Sequence, residues 1–273
     1  MVTILYTELT NLMKLTFKEY KKRAVESLSG KWKISVLGHF IPFIIFMLIL
    51  PSKAIQHVFL QPTTKNVQNT FSYFGVSVVY AFLSFAFTVG ISGILLLKSS
   101  KDKPARLKQH FILITLNGLR ASFLPVMVTN VLFSFLTLMF STEMLTFIYD
   151  NVFFTVFPYY TFLIIASLMN VVVNMLNVYV NMTYIFVPCL LADNPFLKGG
   201  IAMKLSRRIV KGHRVRIFFL SLSLIGWYIL GACALFVGIF FAMSYSTAVV
   251  CEYYKTIRPH MNVSFITPEQ KTL

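Results

Sequence analysis

The chain has 273 residues, of which only 12% are charged, against about 25% in an average soluble domain. With 28 phenylalanines and a mean hydropathy of +0.73, it carries more apolar surface than a water-soluble protein can cover with a polar shell. The formal net charge of +16 does not point to nucleic acid, because the cations sit in short segments between apolar runs, an arrangement that sets membrane topology and attracts anionic headgroups.

The N-terminal arm opens with a helical pattern. Leu9, Leu12, Met13, Phe17, Tyr20, Ala24 and Leu28 recur at three- and four-residue steps, while Lys14, Lys18, Lys21 and Lys22 fall largely elsewhere around the helix. This predicts an amphipathic helix that docks on the rest of the protein or lies on the inner leaflet, with Gly30 placed to end it. The first long apolar run begins near Ile34, after this basic stretch, and no A-x-A cleavage site follows it. It therefore reads as a retained span rather than a signal peptide.

A helix crossing the hydrocarbon core needs about 20 mostly apolar residues. On that measure the spans are Ile34–Leu50, ended by Pro51; Phe71–Leu97; Phe123–Phe140; Tyr159–Leu191, read as one long tilted or broken helix; Ile217–Leu230; and Ala234–Tyr254. The last two divide a continuous apolar stretch, with Gly231 and Gly238 taken as the places to turn. The expected fold is all-α: a polytopic transmembrane bundle of about six spans, with an amphipathic helix at the N-terminus and another before span five. The organisation is an interfacial arm (1–33), a six-span domain (34–254) and a cytoplasmic tail (255–273).

The cations test this division. Lys14, Lys18, Lys21, Lys22, Arg23, Lys31 and Lys33 precede span one; Lys98, Lys101, Lys103, Arg106, Lys108 and Arg120 follow span two. Lys198, Lys204, Arg207, Arg208, Lys211, Arg214 and Arg216 follow span four, and Lys255, Arg258 and Lys271 lie in the tail. Of the 25 Lys and Arg, only Lys53 and Lys65 fall on the opposite side. A wrong span count would scramble this split, so the positive-inside rule predicts both termini in the cytoplasm. The outer connections are 51–70 and 141–158. The second holds Glu143, Asp150 and the aromatics Phe153, Phe154 and Phe157, followed by Tyr159 and Tyr160, a set suited to the headgroup belt.

The stretch Pro195–Lys211 forms the second predicted amphipathic helix. Asp193 or Asn194 is read as its cap and Pro195 as its first turn. Ile201, Leu205 and Ile209 make the apolar edge, opposite Lys204, Arg207, Arg208 and Lys211.

Here the residues carry a resemblance. Leu191-Ala192-Asp193-Asn194-Pro195, then Lys211-Gly212-His213-Arg214, then Leu222-Ser223-Leu224-Ile225-Gly226-Trp227 resemble the bacterial integral membrane family known as domain of unknown function 975 (DUF975), with its DNP, KGHK/R and LSxIGW motifs. Gly238, Ser244-Tyr245-Ser246-Thr247-Ala248 and Glu252-Tyr253-Tyr254 resemble its closing pattern, and Arg23-Ala24 to Ser29-Gly30-Lys31-Trp32 its opening one. Ser244 stands where the pattern has proline, and the family's helix-breaking PG is absent from span four. The resemblance spans residues 23–255. It implies a multi-pass protein of the plasma membrane in a Gram-positive bacterium, and no established activity. The family-motif residues on this reading are Asp193, Asn194, Pro195, Gly212, Gly226 and Trp227.

Within the spans one feature is chemically sharp. Asn170, Asn174, Asn177 and Asn181, at spacings of 4, 3 and 4, lie on one helical face, and Ser167 and Tyr184 extend the stripe. Amides facing lipid would leave donors and acceptors unpaired, so the stripe must face protein or water. One reading is hydrogen bonding to the Ser77, Ala81, Ser84 and Thr88 stripe of span two, worth roughly 0.6 kcal/mol per contact; the other is a polar cavity or path. His39 is the one ionisable residue inside a span interior, with Glu252 near the end of the last span; His39 reads as a packing residue. Lys211, His213 and Arg214 form a basic turn that enforces topology or contacts a headgroup or other anion, with His213 expected to titrate near neutral pH.

Signatures of enzymes are missing: there is no GxSxG, HExxH, Walker loop or GxGxxG. Cys189, Cys233 and Cys251 lie in apolar stretches without CxxC or CxxH spacing and read as small buried hydrophobes, implying neither disulfide nor metal. No cofactor is expected. The functional expectation is a non-enzymatic multi-pass membrane protein that acts by intramembrane binding, as a scaffold, accessory subunit or bacteriocin-immunity-type factor. Its partners would be membrane lipids, anionic headgroups on the cytoplasmic side, and a membrane protein or peptide. The alternative is a channel or permease component for an uncharged or amphipathic substrate.

Overall fold

The computed structural model describes residues 16–49, 67–96, 104–139, 159–194, 196–234 and 237–258. The described residues are almost entirely helical. In order these are Phe17–Leu28 (α1), Trp32–Ile49 (α2), Val67–Leu96 (α3), Pro104–Ala121 (α4), Phe123–Val126 (α5), a π-helical turn at Met127–Val131, Leu132–Met139 (α6), Tyr159–Thr183 (α7), Val187–Asp193 (α8), Gly199–Lys211 (α9), Arg214–Cys233 (α10) and Val237–Ile257 (α11). The arm before Thr16, residues 51–66 and 141–158 of the outer connections, Pro195 and the tail beyond Arg258 lie outside the described residues.

Four helical stretches are long and apolar enough to cross a membrane: Trp32–Ile49, Phe74–Leu96, Ile164–Asp193 and Arg214–Cys233. A bent pair, Phe111–Ala121 and Phe123–Thr137, makes a fifth if counted as one broken span. Their outer faces suit lipid: α7 exposes Ile164, Leu168, Val171, Val172 and Met175, and α10 exposes Phe219, Leu222, Ile225 and Ile229.

At the start of α1, Thr16 N–H donates to Glu19 Oε2 at 2.8 Å, a reciprocal cap on the first turn. Tyr20, Ala24 and Leu28 are buried and pack on α11, while Lys18, Lys22 and Arg23 stay exposed. The helix ends at Gly30, whose φ of 74° is a left-handed conformation that favours glycine. The next residue, Lys31, is buried, and its Nζ donates to Ile94 O at 3.0 Å. That carbonyl lies in the last turn of α3, where a cation offsets the helix dipole.

α3 packs most closely on α4, and small residues permit it. A Cβ added at Gly90 would run into Thr115 and Phe111, one at Gly93 into Ile114, and one at Gly118 into Val89 at 2.9 Å. Tight approach through small residues is how helices associate without a hydrophobic drive between them.

The third apolar stretch is not the single helix expected from Phe123 to Phe140. It is the second arm of a pair bent by 63°. Pro125 has no N–H to give Ala121 O, so the ladder breaks there. The freed carbonyl is where Gly199, at the start of α9, presses in: an added Cβ would strike Ala121 O and lie 2.9 Å from Pro125 Cδ. The π-helical turn follows directly.

Two further expectations are corrected. Asn194 does not start α9; it closes α8, with its N–H on Leu190 O at 3.1 Å, and α9 begins only at Gly199 behind Lys198. Gly231 and Gly238 do not make the turn between the last two helices, which lies at Ala234 and beyond. They sit inside α10 and α11 at the crossing point, where a Cβ on Gly231 would stand 2.7 Å from the Gly238 carbonyl carbon.

α11 is the central helix. It packs on α1, α2, α3 and α10 and buries Phe240, Ser244, Tyr245, Ala248, Val249 and Cys251 among others. All three cysteines are free; Cys233 is exposed, while Cys189 and Cys251 are buried with their sulfurs 3.3 Å apart.

These contacts predict two outcomes. Gly231→Ala pushes a methyl against backbone that cannot yield, and overpacking of this kind costs about 1–3 kcal/mol. A lowered unfolding midpoint for Gly231→Ala, beside an unchanged one for Gly226→Ala, where nothing lies within 4 Å, checks the crossing. In a Cys233→Ser background, a mild oxidant should join Cys189 to Cys251 within one chain. Loss of both remaining thiols without dimer formation is the expected titration; a disulfide-linked dimer in its place would place α8 and α11 differently.

Candidate functional site

The interruptions in the helices converge on one crevice. The π-helical turn supplies Thr129 and Asn130; the break between α7 and α8, at Tyr184–Phe186, supplies Tyr184 and Ile185; α10 supplies Ser221 and Tyr228. Together with Asn177 and Asn181 of α7 they line an outer chamber of about 640 Å³. Non-helical backbone inside a bilayer is tolerated only where it is buried in protein or lines a cavity, and π-bulges recur at functional sites. Both irregular segments here face the same space.

A second chamber of about 240 Å³ lies alongside and shares Ile185, Pro188, Ser221 and Tyr228 with the first. Its other polar walls are Thr88, Ser92, Cys189, Ser246 and Thr247. Ser92 Oγ is fully buried with no hydrogen-bond partner. Tyr228 Oη and Ser246 Oγ are 2.7 Å apart, so one wall helix is bonded to the other. Behind Thr247 stands His39 of α2, with Nε2 3.4 Å from the threonine hydroxyl and Nδ1 unpartnered. Among the described residues, neither chamber is lined by Asp, Glu, Lys or Arg.

The asparagine stripe divides in two. Asn177, Asn181 and Tyr184 reach the outer chamber, whereas Ser167 and Asn174 are exposed on α7 and Asn170 is half-buried. The amides pair along their own helix: Asn174 Nδ2 donates to Asn170 O at 2.8 Å and Asn181 Nδ2 to Asn177 O at 3.0 Å, each also meeting the Oδ1 of the same residue. The α3 hydroxyls likewise turn inward, Ser77 Oγ to Phe74 O and Thr88 Oγ1 to Ser84 O, both at 2.8 Å. The stripe's neighbours are the π-helical turn, α6, α9 and α10. Thr129, Asn130, Ser221 and Tyr228 were not singled out from the sequence, although Pro125 followed by Asn130 in an apolar run was an available signal of a break beside a polar group.

Of the family-motif residues, Asp193, Asn194 and Gly212 lie elsewhere, at the cation-rich end of the bundle, whereas Gly226 and Trp227 lie midway along α10. Asp193 Oδ1 pairs with Arg258 at 2.8 Å, and Tyr254 Oη donates to Asp193 Oδ2 at 3.2 Å, tying the end of α8 to the end of α11. Tyr253 stacks on Phe186 with centroids 5.9 Å apart and an interplanar angle of 7°, and meets Tyr20 of α1 at 5.1 Å. The Arg216 guanidinium lies 5.7 Å from the Tyr20 ring and 5.9 Å from the Tyr253 ring, a cation–π contact with each. His213 presents its ring edgewise to Tyr253 at 6.4 Å. Partial burial, then the neighbouring Arg216 charge, hold its pKa below the ordinary imidazole value, so at neutral pH it adds little charge to the basic turn. Lys211, Gly212 and Arg214 are exposed. Gly226 has open space around it, and Trp227 packs on Tyr245 at 5.1 Å.

Among the described residues no group of three His, Cys, Asp or Glu is placed to hold a metal ion. The arrangement offers neutral hydrogen-bonding groups in a mainly apolar crevice, with ion pairs held apart at one end. No curated protein matches the chain, and no solved structure does. The family described as protein of unknown function (DUF975) matches residues 13–261, nearly the whole sequence, and the chain belongs to that family.

Proposed function

We propose that this protein resides in a bacterial plasma membrane, crosses it six times with both termini in the cytoplasm, and acts by binding a membrane-resident molecule in the crevice rather than by catalysis. The six crossings are α2, α3, the arm of the bent pair that begins at Phe123, the α7–α8 unit, α10 and α11. α11 is 21 residues long and enclosed by other helices, so its Ser244, Ser246 and Thr247 need no lipid-compatible surface. The segregation of cations supports the sidedness.

The observation that carries the binding reading is the outer chamber walled by Asn130, Asn177 and Asn181 at two breaks in the helices. Its volume falls within the range of about 300–1,000 Å³ typical of ligand sites. A ligand there meets amides and hydroxyls but no compensating charge, which fits an uncharged or amphipathic molecule, or a polar side chain from a partner's membrane segment. The absence of a charged acid or base from the chamber walls supports binding over acid–base chemistry. A scaffold, an accessory subunit or an immunity-type factor would use such a site. A permease component is the second reading, supported by the amide row of α7 leading into the same space.

Single cysteines at 130, 177 and 181, in a cysteine-free background, test the chamber. Thiols react as thiolates, which form in water and not in hydrocarbon. These positions should therefore be labelled by a membrane-impermeant reagent at least about ten-fold faster than a cysteine at Leu168 on the lipid-facing side of α7. Equal protection at all four positions removes the chamber. Separately, a cysteine in the 98–103 connection should be labelled only after the cell is permeabilised; labelling from outside reverses the topology.

A further inference from the structure

A third concavity adjoins the larger chamber at Met182, where α7 meets the turn between α9 and α10. It is about 300 Å³ and is lined by Tyr179, Met182, Thr183, Val210, Arg214, Val215, Ile217 and Phe218. Apart from Arg214 its walls are apolar or already satisfied: the Thr183 hydroxyl donates to Tyr179 O at 2.9 Å. The Arg214 guanidinium carbon stands 5.5 Å from the centroid of the Tyr179 ring, a cation–π contact that holds the fork in place. From Gly199 to Leu220 the sequence holds no Asp or Glu, so no carboxylate of α9 or of the first turns of α10 competes for that guanidinium. The other basic groups of this surface are Lys198, Lys204, Arg207, Arg208, Lys211 and Arg216, and His213 is depressed by burial and by Arg216.

We infer that this slot binds one anionic phospholipid, with its phosphate on the Arg214 guanidinium and one acyl chain lying in the apolar cleft against Val215 and Phe218. The two halves of the site match the two halves of such a molecule. A guanidinium takes phosphate through two parallel hydrogen bonds, which an ammonium cannot do, and basic pockets between membrane helices hold anionic headgroups. The cleft is too small for a whole lipid and is open, as a site for one chain of a lipid in the surrounding leaflet must be. This site shares only Met182 with the polar crevice and none of its polar lining, and its test does not depend on which leaflet the turn faces.

The full chain is purified in detergent, and retention of phosphatidylglycerol and of phosphatidylcholine with identical acyl chains is compared by native mass spectrometry. Phosphatidylglycerol should be retained preferentially. Arg214→Gln should reduce its retention about five-fold, the weight of one basic residue at an anionic surface. Val215→Trp, which fills the cleft while leaving the cation, should reduce it as well. Lys204→Gln, which removes a charge from the exposed face of α9, should leave it unchanged. Equal retention of the two lipids, an equal loss in Lys204→Gln and Arg214→Gln, an unaffected Val215→Trp, or displacement of the lipid by millimolar inorganic phosphate would each overturn the proposal. The first two mean that no site distinguishes the headgroup, and the last two that the cleft holds no chain. Both substituted positions, Arg214 and Val215, are exposed, and an unchanged unfolding midpoint separates loss of the site from loss of the fold.

Discussion

Tyr253 and Tyr254, at the end of α11, hold together segments from both ends of the chain. Tyr253 contacts Tyr20 of α1, Phe186 at the α7–α8 break and His213 before α10, and shares Arg216 with Tyr20. Tyr254 fixes Asp193, which also holds Arg258. Surface ion pairs alone contribute only about 0–1 kcal/mol, so the strength of this junction lies in aromatic area removed from solvent, with the Tyr254 hydroxyl partnered by Asp193. The geometry of the crevice depends on it. Phe186 sits at the break that opens the crevice, and α11 forms the wall of its inner chamber. The motif residues Asp193 and His213, together with Tyr253 and Tyr254, are therefore the frame of the site and not its lining.

The same dependence explains why irregular backbone is affordable here. In hydrocarbon an unsatisfied carbonyl costs several kcal/mol, yet Pro125 frees Ala121 O and the α7 ladder stops at Thr183. The first break is covered by the N-terminus of α9, which only a glycine at position 199 allows to come so close. At the second, Tyr184 N still reaches Val180 O at 3.1 Å, Val187 N reaches Tyr184 O at 3.0 Å, and Ser206 Oγ donates to Thr183 O at 3.0 Å. The cover over the first break comes from α9, and the hydrogen bonds at the second from α9 and local turns. α9 thus braces both breaks, with Ala202, Met203, Ser206 and Val210 buried and its cations left on the other face.

What could be read from the sequence follows from which signals are local. Apolar length, cation segregation and the DNP, KGHR and EYY motifs are local, so the helical membrane class and the family were legible. Asn177 and Asn181 were legible as a stripe because their spacing is helical. The bend at Ser122 and the π-helical turn were not, since the proline that causes them sits inside an apolar run that still averages as a span. Glycine was ambiguous for a physical reason: composition does not distinguish a residue chosen for its φ, as Gly30 is, from one chosen for its missing side chain, as Gly231 and Gly238 are. His213 read as a neutral-pH titrating group on the premise of an ordinary environment, while the burial that lowers its pKa comes from the fold. The proximity of Cys189 and Cys251 had no sequence signature at all.

Charge placement also constrains what the crevice can hold. A carboxylate or ammonium taken into the low-dielectric interior needs a partner of opposite sign or loses its charge, and the chambers offer only amides, hydroxyls and a thiol. The chain's acidic groups near this region, Asp193 and Glu252, are already engaged with Arg258 and Lys255 at the cation-rich end, and His39 lies behind Thr247 rather than in the chamber wall. An ion would therefore enter the crevice without compensation. On the proposed reading, a neutral molecule, or the uncharged part of an amphipathic one whose headgroup stays at the surface, would exchange its hydration for Asn130, Asn177 and Asn181.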